Sequence, residues 1–398
     1  MSTHRKSTLF TAGRDDHGRR LERILRKLFP RVPRSAINKA LRKGDIRIGG
    51  KRAKADHRVE EGDIIEIRAS FAAEAERPSE RVGRSPAGHG GGGLEVLFRN
   101  QDLLAVNKPS GLAVHGPDSL TGRVRGLVAS DPSGPGAETG EPHPSTGAPG
   151  NSLSFRPGPL HRLDKRTTGV IVFGLSLEGS KRFSAALKEH RLTKLYLALL
   201  RGRLPKAERW QDTLKGEGKE QFADLSVAPI IHFAEATLAV CAPHTGRTHQ
   251  IRKQAALHGH PLLSDHAYQG SRSPGPRGPG DGAADARPGA APGQPGSPGL
   301  SGGYILHALS LSAPAELDLG FTAILAPLPE DSANRLGGFA AANSAVELAL
   351  REGPLAERLA RPVERLREEP GSASYLLSTI ATEIHDRRSA LNELHEWA

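Results

Sequence analysis

The sequence predicts an α+β protein in two parts, a small basic α/β module and a tethered, larger unit of short apolar strands mixed with helices. Three observations carry this prediction. The first is charge: of a formal net +11 over 398 residues, residues 1–68 alone hold 19 Lys and Arg against 9 Asp and Glu. The second is the placing of glycine and proline (46 and 30 residues), which gather in stretches that no core pattern crosses. The third is periodicity, with helical 3–4 spacing of apolar residues early in the chain and short strand-like runs later.

The elements follow in order. Residues 19–29 place Leu21, Ile24, Leu25, Leu28 and Phe29 on one helical stripe, with Arg19, Arg20, Arg23, Arg26 and Lys27 largely on other faces, and Pro30 and Pro33 end the run. Ser35 is the expected cap of a second helix, 36–43, that buries Ala36, Ile37, Ala40 and Leu41 and offers Lys39, Arg42 and Lys43. Ile46 and Ile48 alternate before a Gly49–Gly50 turn, and Ile64, Ile65 and Ile67 follow Gly62–Asp63, which makes two short strands. The expected limits of this module are 18–68. A flexible linker, 69–93, ends in Gly90–Gly93, and the larger unit spans 94–335. Two Gly- and Pro-rich insertions, near 117–158 and 271–303, are read as disordered. Beyond 336, Leu/Ala/Glu/Arg-rich segments predict a helical extension whose role is not readable.

Composition also excludes. One cysteine, Cys241, leaves no internal disulfide and no multi-cysteine metal site. No run of 18 apolar residues occurs, and the basic start at His4, Arg5 and Lys6 leads into no apolar signal core, so neither a membrane-spanning nor a secreted protein is expected; a reducing, cytoplasmic compartment is. A one-sign charge excess confined to a short segment is the electrostatic footprint of a polyanion-binding module.

Three segments set reactive polar groups beside apolar runs. In 161–169, HRLDKRTTG, Asp164 precedes the strand-like Val170–Phe173; alone it reads equally as a loop-shaping Asx-turn. In 193–200, TKLYLALL, Tyr196 shares a strand face with Lys194 and Ala198, where a tyrosine is ordinarily packing. In 245–261, TGRTHQIRKQAALHGHP, a turn opens a helix bearing Arg247 and Arg252.

Together these segments resemble the RluA family of pseudouridine synthases. HRLDKRTTG resembles that family's HRLDxxTSG, with Thr168 at the usual Ser. NKPSGLAVHG (107–116) resembles NKPxGxxVH, TKLYLALLRG resembles KxYxAxVxG, and 245–270 is similar to TGRTHQIRxHxxxxGHPxxGDxxYG. The basic module resembles the S-four-like RNA-binding domain, a fusion typical of the family's large-subunit rRNA branch. Three positions depart from the pattern: Lys253 and Gln254, where the family favours an apolar residue and often His, and Ser264, at a usual Gly.

The resemblance implies a mixed, largely antiparallel sheet in the catalytic domain. It implies isomerisation of uridine to pseudouridine in RNA, most of all large-subunit rRNA, after the base leaves its stack, with no cofactor and no metal. Asp164 corresponds to the essential carboxylate, Arg252 to the cation expected to pair with it bidentately, and Tyr196 to the active-site tyrosine, expected to stack on uracil and serve the late proton transfer. Arg162, His161, Arg247, His249 and Gln250 in the synthase unit, and Arg34, Lys39, Arg42 and Lys43 in the module, are the expected RNA contacts. RNA is the expected partner, the chain acting as a monomer and away from membranes. Three alternatives stand beside this: a non-enzymatic RNA-binding or ribosome-assembly protein on the same fold, a tRNA-directed synthase, and a metal-dependent hydrolase prompted by His244, His249, His258, His260, His266 and Asp265, which lack the i, i+4 spacing of helical ligands.

Overall fold

Two sheets organise the chain in the computed structural model, which describes residues 7–30, 32–68, 71, 93–130, 152–215, 218–268, 303–342, 346–349, 354–369, 375 and 379–380. The N-terminal sheet contains β1 (Ser7–Thr11), β2 (Ile46–Ile48), β3 (Lys51–Arg52) and β4 (Ile64–Arg68), all antiparallel, in the order β1-β4-β2-β3. Helices α1 (Leu21–Leu28) and α2 (Arg34–Lys43) turn Leu21, Ile24, Leu25, Ile37 and Leu41 onto Ile46, Ile65 and Ile67 to close one core. Two expectations change here. The sheet begins upstream of residue 18, because β1 pairs along β4; five residues with Phe10 as their buried member give little signal. The α2 cap is Pro33, whose fixed φ suits a helix start, so Ser35 lies exposed in the first turn. Gly44 ends α2 in the left-handed region at φ 74°.

The second sheet has eleven strands: β5 (Val96–Arg99), β6 (Leu103–Lys108), β7 (Gly158–Pro159), β8 (Thr168–Gly174), β9 (Thr193–Arg201), β10 (Glu208–Lys215), β11 (Glu220–His232), β12 (Ala236–Pro243), β13 (Leu306–Ser312), β14 (Ala323–Leu325) and β15 (Glu347–Leu348). The main path runs β10-β11-β12-β9-β13-β8-β6-β5. It is antiparallel except where β8 and β13 run parallel. Five helices join it: α3 (Leu120–Ala129), α4 (Leu177–Lys188), α5 (Gln250–Leu257), α6 (Glu330–Ala342) and α7 (Pro354–Glu368).

Strand alternation decides which face does what. Leu195, Leu197 and Leu199 of β9 point into a core shared with α6 and α7, whereas Tyr196, Ala198 and Leu200 point the other way, towards Ile251 and Ala255 of α5. The described part of the C-terminal segment therefore joins the synthase core: Leu336, Phe339, Leu359 and Val363 pack on the sheet and β15 pairs with β11. The 117–158 stretch is not disordered throughout either. It holds α3, capped by the Ser119 hydroxyl, and an ordered end at 152–158; 131–151 lie outside the described residues. So do most of the linker and, apart from Gly303, the 271–303 stretch. Phe71, which sequence assigned to the linker, sits edge-on to Phe29 in the module core.

Gly169 opens β8 at φ 107°, and a Cβ there would stand 2.2 Å from the Ala308 carbonyl oxygen of β13. Only glycine lets the two parallel strands close at this point. The glycine ending HRLDKRTTG is thus a demand of the sheet immediately behind Asp164.

Candidate active site

Asp164 sits in the loop between β7 and β8, and a second loop holds that one still. Lys108, fully buried at the end of β6, donates from Nζ to the carbonyls of Pro109 (3.0 Å), Lys165 (2.9 Å) and Thr167 (2.8 Å). Gly111 N–H adds a bond to Lys165 O at 2.9 Å, and the Ser110 hydroxyl one to Arg166 O at 3.2 Å. Burial lowers the Lys108 pKa to about 8, while Asp164 pulls it back up. The NKPSG segment is therefore a clamp whose ammonium satisfies carbonyls that would otherwise be stranded under the Asp164 loop. Behind it, Thr168 Oγ1 and His307 Nδ1 lie 2.8 Å apart, and His307 Nε2 lies 3.0 Å from the Ala326 carbonyl. A carbonyl only accepts, so Nε2 carries the proton and Nδ1 accepts from the Thr168 hydroxyl. Burial lowers the His307 pKa to about 4.

The facing wall comes from the start of α5. Gln250 locks the turn before it: its Oε1 accepts from the Thr245 hydroxyl (2.8 Å) and Arg247 N–H (2.9 Å), and its Nε2 donates to Asp224 O (2.9 Å). His249 takes a left-handed conformation at φ 56°. One turn on, Arg252 is bidentate to Asp265, Nε to Oδ2 at 2.7 Å and Nη2 to Oδ1 at 2.8 Å. Its remaining nitrogen, Nη1, reaches Asp164 Oδ2 at 3.3 Å. The guanidinium carbon lies 4.8 Å and 4.7 Å from the ring centroids of Tyr268 and Tyr304. Burial alone would weaken the hold of Arg252 on its proton, but Asp265, Tyr304 and Asp164 outweigh it and its pKa is raised. On the other side of Asp164, His249 Nε2 stands 3.6 Å from Oδ1, and its Nδ1 is 2.7 Å from the Tyr268 hydroxyl. Burial lowers the His249 pKa in spite of Asp164, so at neutral pH the ring is uncharged.

Tyr196, half-buried on β9, closes the floor; burial, then the charge of Asp164, raises its pKa and keeps the phenol protonated. Lys194 lies on the same face, with its own pKa lowered by burial. Asp164, Tyr196, Lys194, Arg252 and His249 line one cleft of about 360 Å³, in the range of small-ligand sites. One carboxylate is held between a fixed guanidinium and a neutral imidazole, beside a protonated phenol. That set orients an anionic oxygen at the bottom of a cleft and offers an aromatic surface to a flat ligand.

The structure therefore brings Asp164, Tyr196 and Arg252 together, with one correction: the bidentate partner of Arg252 is Asp265, and Asp164 receives a single bond. Arg162 and Arg247 are exposed on the cleft lining, Arg247 with its Nε bonded to Phe222 O at 2.8 Å. His161 and Gln250 line the same cleft and are also bonded within the fold. His161 Nε2 accepts from Val172 N–H at 3.0 Å, its ring stacks on Phe183, and burial, with help from Lys194, lowers its pKa to about 4. Gln250 is buried with both ends of its amide bonded inside the fold. Both residues nonetheless line the cleft beside Arg162 and Arg247. On the module, Lys39, Arg42 and Lys43 are exposed along α2, whereas Arg34 forms a paired fork with Glu22 of α1 (2.6 and 3.1 Å).

The sequence alone assigned no role to Lys108, Tyr268 or Tyr304, and it offered Asp265 only as a candidate metal ligand. Asp265 had a signal, since a helix, a turn and a return place it thirteen residues after Arg252, within reach of the same face. Tyr304 had none, coming from beyond the 271–303 stretch. Among the described residues no group of three or more His, Cys, Asp or Glu is arranged to hold a metal ion, and no helix is long and apolar enough to cross a membrane.

Two family models match the chain. The model of the RNA pseudouridylate synthase family matches residues 102–257, and that of the S4 domain matches 19–65. The chain is 32% identical over 278 residues to ribosomal large subunit pseudouridine synthase C of Escherichia coli strain K12, covering 64% of this chain and 77% of that protein. With the protein of the same description from Yersinia pestis it shares 29% identity over 286 residues, covering 65% and 79%. Among solved structures, human RNA pseudouridylate synthase domain containing 4 overlays with a TM-score of 0.43 at 21% identity, covering 61% of this chain and 92% of that one.

Proposed function

Because this chain belongs to the RNA pseudouridylate synthase family, we propose that it isomerises particular uridines of large-subunit ribosomal RNA, with Asp164 acting on the sugar of a uridine swung into the cleft. In the reaction the bond from uracil N1 to C1′ breaks, the base turns, a bond forms from C5 to C1′, the C5 proton leaves, and N1 takes up a proton. Atoms balance within one nucleotide, so no co-substrate is consumed.

Each residue has a part set by its surroundings. Asp164, held by Arg252 and His249, presents a carboxylate oxygen to the ribose, at C1′ as nucleophile or at the 2′ position as base. Arg252 fixes the approach of that oxygen. Tyr196 supplies a ring for the extruded uracil, a contact worth on the order of 1–3 kcal/mol per base. Its raised pKa favours the protonated phenol, so it serves the late proton transfer only by passing its own proton on as it takes one. Arg162 and Arg247, exposed at the rim, face the backbone of the strand that gave up its base. Lys39, Arg42 and Lys43 grip phosphate at the module.

The observation that carries this reading is the meeting of Asp164, Arg252 and Tyr196 in one cleft. The choice of large-subunit rRNA over tRNA rests on the names of the relatives. Action as a monomer is part of the same proposal, as is a cytoplasmic compartment, which the single cysteine, Cys241, supports. Tritium release from RNA carrying 5-tritiated uridine tests the chemistry. Asp164→Asn is expected to cut release by about 10³-fold or more while RNA binding persists; release near the wild-type rate overturns the assignment.

A further inference from the structure

Asp16 is a fully buried carboxylate with no part in the chemistry above. It lies in the 3₁₀ turn Arg14–Asp16, between β1 and α1 of the basic module. Its Oδ1 accepts from the Ser152 hydroxyl (3.0 Å), the Ser154 hydroxyl (2.7 Å) and Ser154 N–H (3.1 Å). Its Oδ2 accepts from Leu153 N–H (2.6 Å) and Gly13 N–H (3.1 Å). All but Gly13 belong to the far end of the 117–158 stretch, in the synthase domain. Around this centre the two units interlock. Arg19 Nη1 donates to Ser154 Oγ at 2.7 Å, and the Leu153 side chain packs against the module core. Asp15 Oδ2 accepts Leu177 N–H at 2.9 Å, at the first turn of α4. Arg14 pairs at 3.2 Å with Asp102, which Arg182 and the Ser176 hydroxyl also hold.

A buried carboxylate is tolerable only while its lone pairs are filled. Removing the 152–154 segment would leave Asp16 stranded and Leu153 in water, so this contact is made in full or not at all.

We propose that Ser152–Ser154 is a clip that holds the RNA-binding module at one fixed orientation on the synthase domain, with Asp16 as the positioning residue that presets the distance between the module's basic face and the cleft. This rests on the RNA-modifying reading above. It narrows the substrate class to folded RNA that presents the target uridine at a set distance from the backbone the module grips. A uridine in a short strand, too small to reach the module, gains nothing from the clip.

The test uses the full-length protein with the clip broken from either side, as Asp16→Ala in the module and as Ser152→Ala with Ser154→Ala in the synthase domain. Small-angle X-ray scattering is expected to show a larger radius of gyration in both variants. On a long folded rRNA fragment, KM is expected to rise about tenfold with kcat within about twofold, since preorganisation is lost and chemistry is not. On a short oligonucleotide both constants should match the wild type. Unchanged scattering together with unchanged KM overturns the clip. Should Asp16→Ala fail to fold, the serine variant, which leaves the module intact, decides. If the wild type forms no pseudouridine in any RNA, the functional reading fails while the scattering arm still judges the clip.

Discussion

Arg252 serves two carboxylates at once, and the division between them governs what it can do. Asp265 takes two nitrogens and so fixes the plane of the guanidinium, leaving Nη1 aimed at Asp164. Asp265→Asn is expected to keep RNA binding but lower kcat by about 10–100-fold, because a small misplacement of a reacting group is costly; single-turnover assays at saturating enzyme measure it. Arg252→Lys keeps the charge and loses the fork, and should do at least as badly. Asp164, Tyr196 and Arg252 were legible because each stands inside a run whose residue order is itself distinctive. Asp265 stood in such a run too, yet its task is a pairing across a helix and a turn, which linear order does not display. Ser264 shows the same limit. It departs from the family's glycine, and the structure finds it at φ 65°, a left-handed backbone that a side chain occupies at a cost of about 1–2 kcal/mol. The position demands a backbone shape, and Ser meets it under strain.

The elements that frame the cleft make their own predictions. Gly169→Ala would drive a Cβ into the Ala308 carbonyl and part β8 from β13; we expect a loss of more than about 3 kcal/mol in denaturant melts, or no soluble protein. Lys108→Met removes the donor for three carbonyls and should cost about 3 kcal/mol of stability, with kcat falling as the Asp164 loop loosens. His307 adds a pH signature. Its folded pKa of about 4 lies below the ordinary histidine value, so between those limits the unfolded chain binds the extra proton and stability falls as pH falls. The window is about pH 6.5 down to 4, worth roughly 3 kcal/mol at most. Melting temperature should drop across it more steeply in the wild type than in His307→Gln. Apolar runs revealed β6, β8, β9 and the two module helices, since burial writes itself into local pattern. The parallel pairing of β8 with β13 left no trace, for its partners are 139 residues apart (Thr168 and His307). Two-residue β15 is too short to carry a period, and α3 was hidden inside a Gly- and Pro-rich stretch.

At the scale of the whole molecule, charge marked the basic module before any fold was known, and the exposed Lys39, Arg42 and Lys43 on α2 give that charge an address. Replacing all three by Gln is expected to flatten the plot of log binding constant against log salt by about 2–3 units of slope, at 0.7–0.9 per phosphate contact; an unchanged slope would mean that they meet no phosphate. How the module sits on the synthase domain was not legible, because Asp16 and Ser152–Ser154 are individually ordinary and become informative only once folding has joined them. The pairing of Thr168 with His307 also orders events in time. On a translating ribosome the module emerges before Asp164 and Asp164 well before β13, and at about 5–20 residues per second the latter interval lasts roughly seven to thirty seconds. A half-made chain can therefore grip RNA while its Asp164 loop still lacks the strand behind it, and catalytic competence waits for β13.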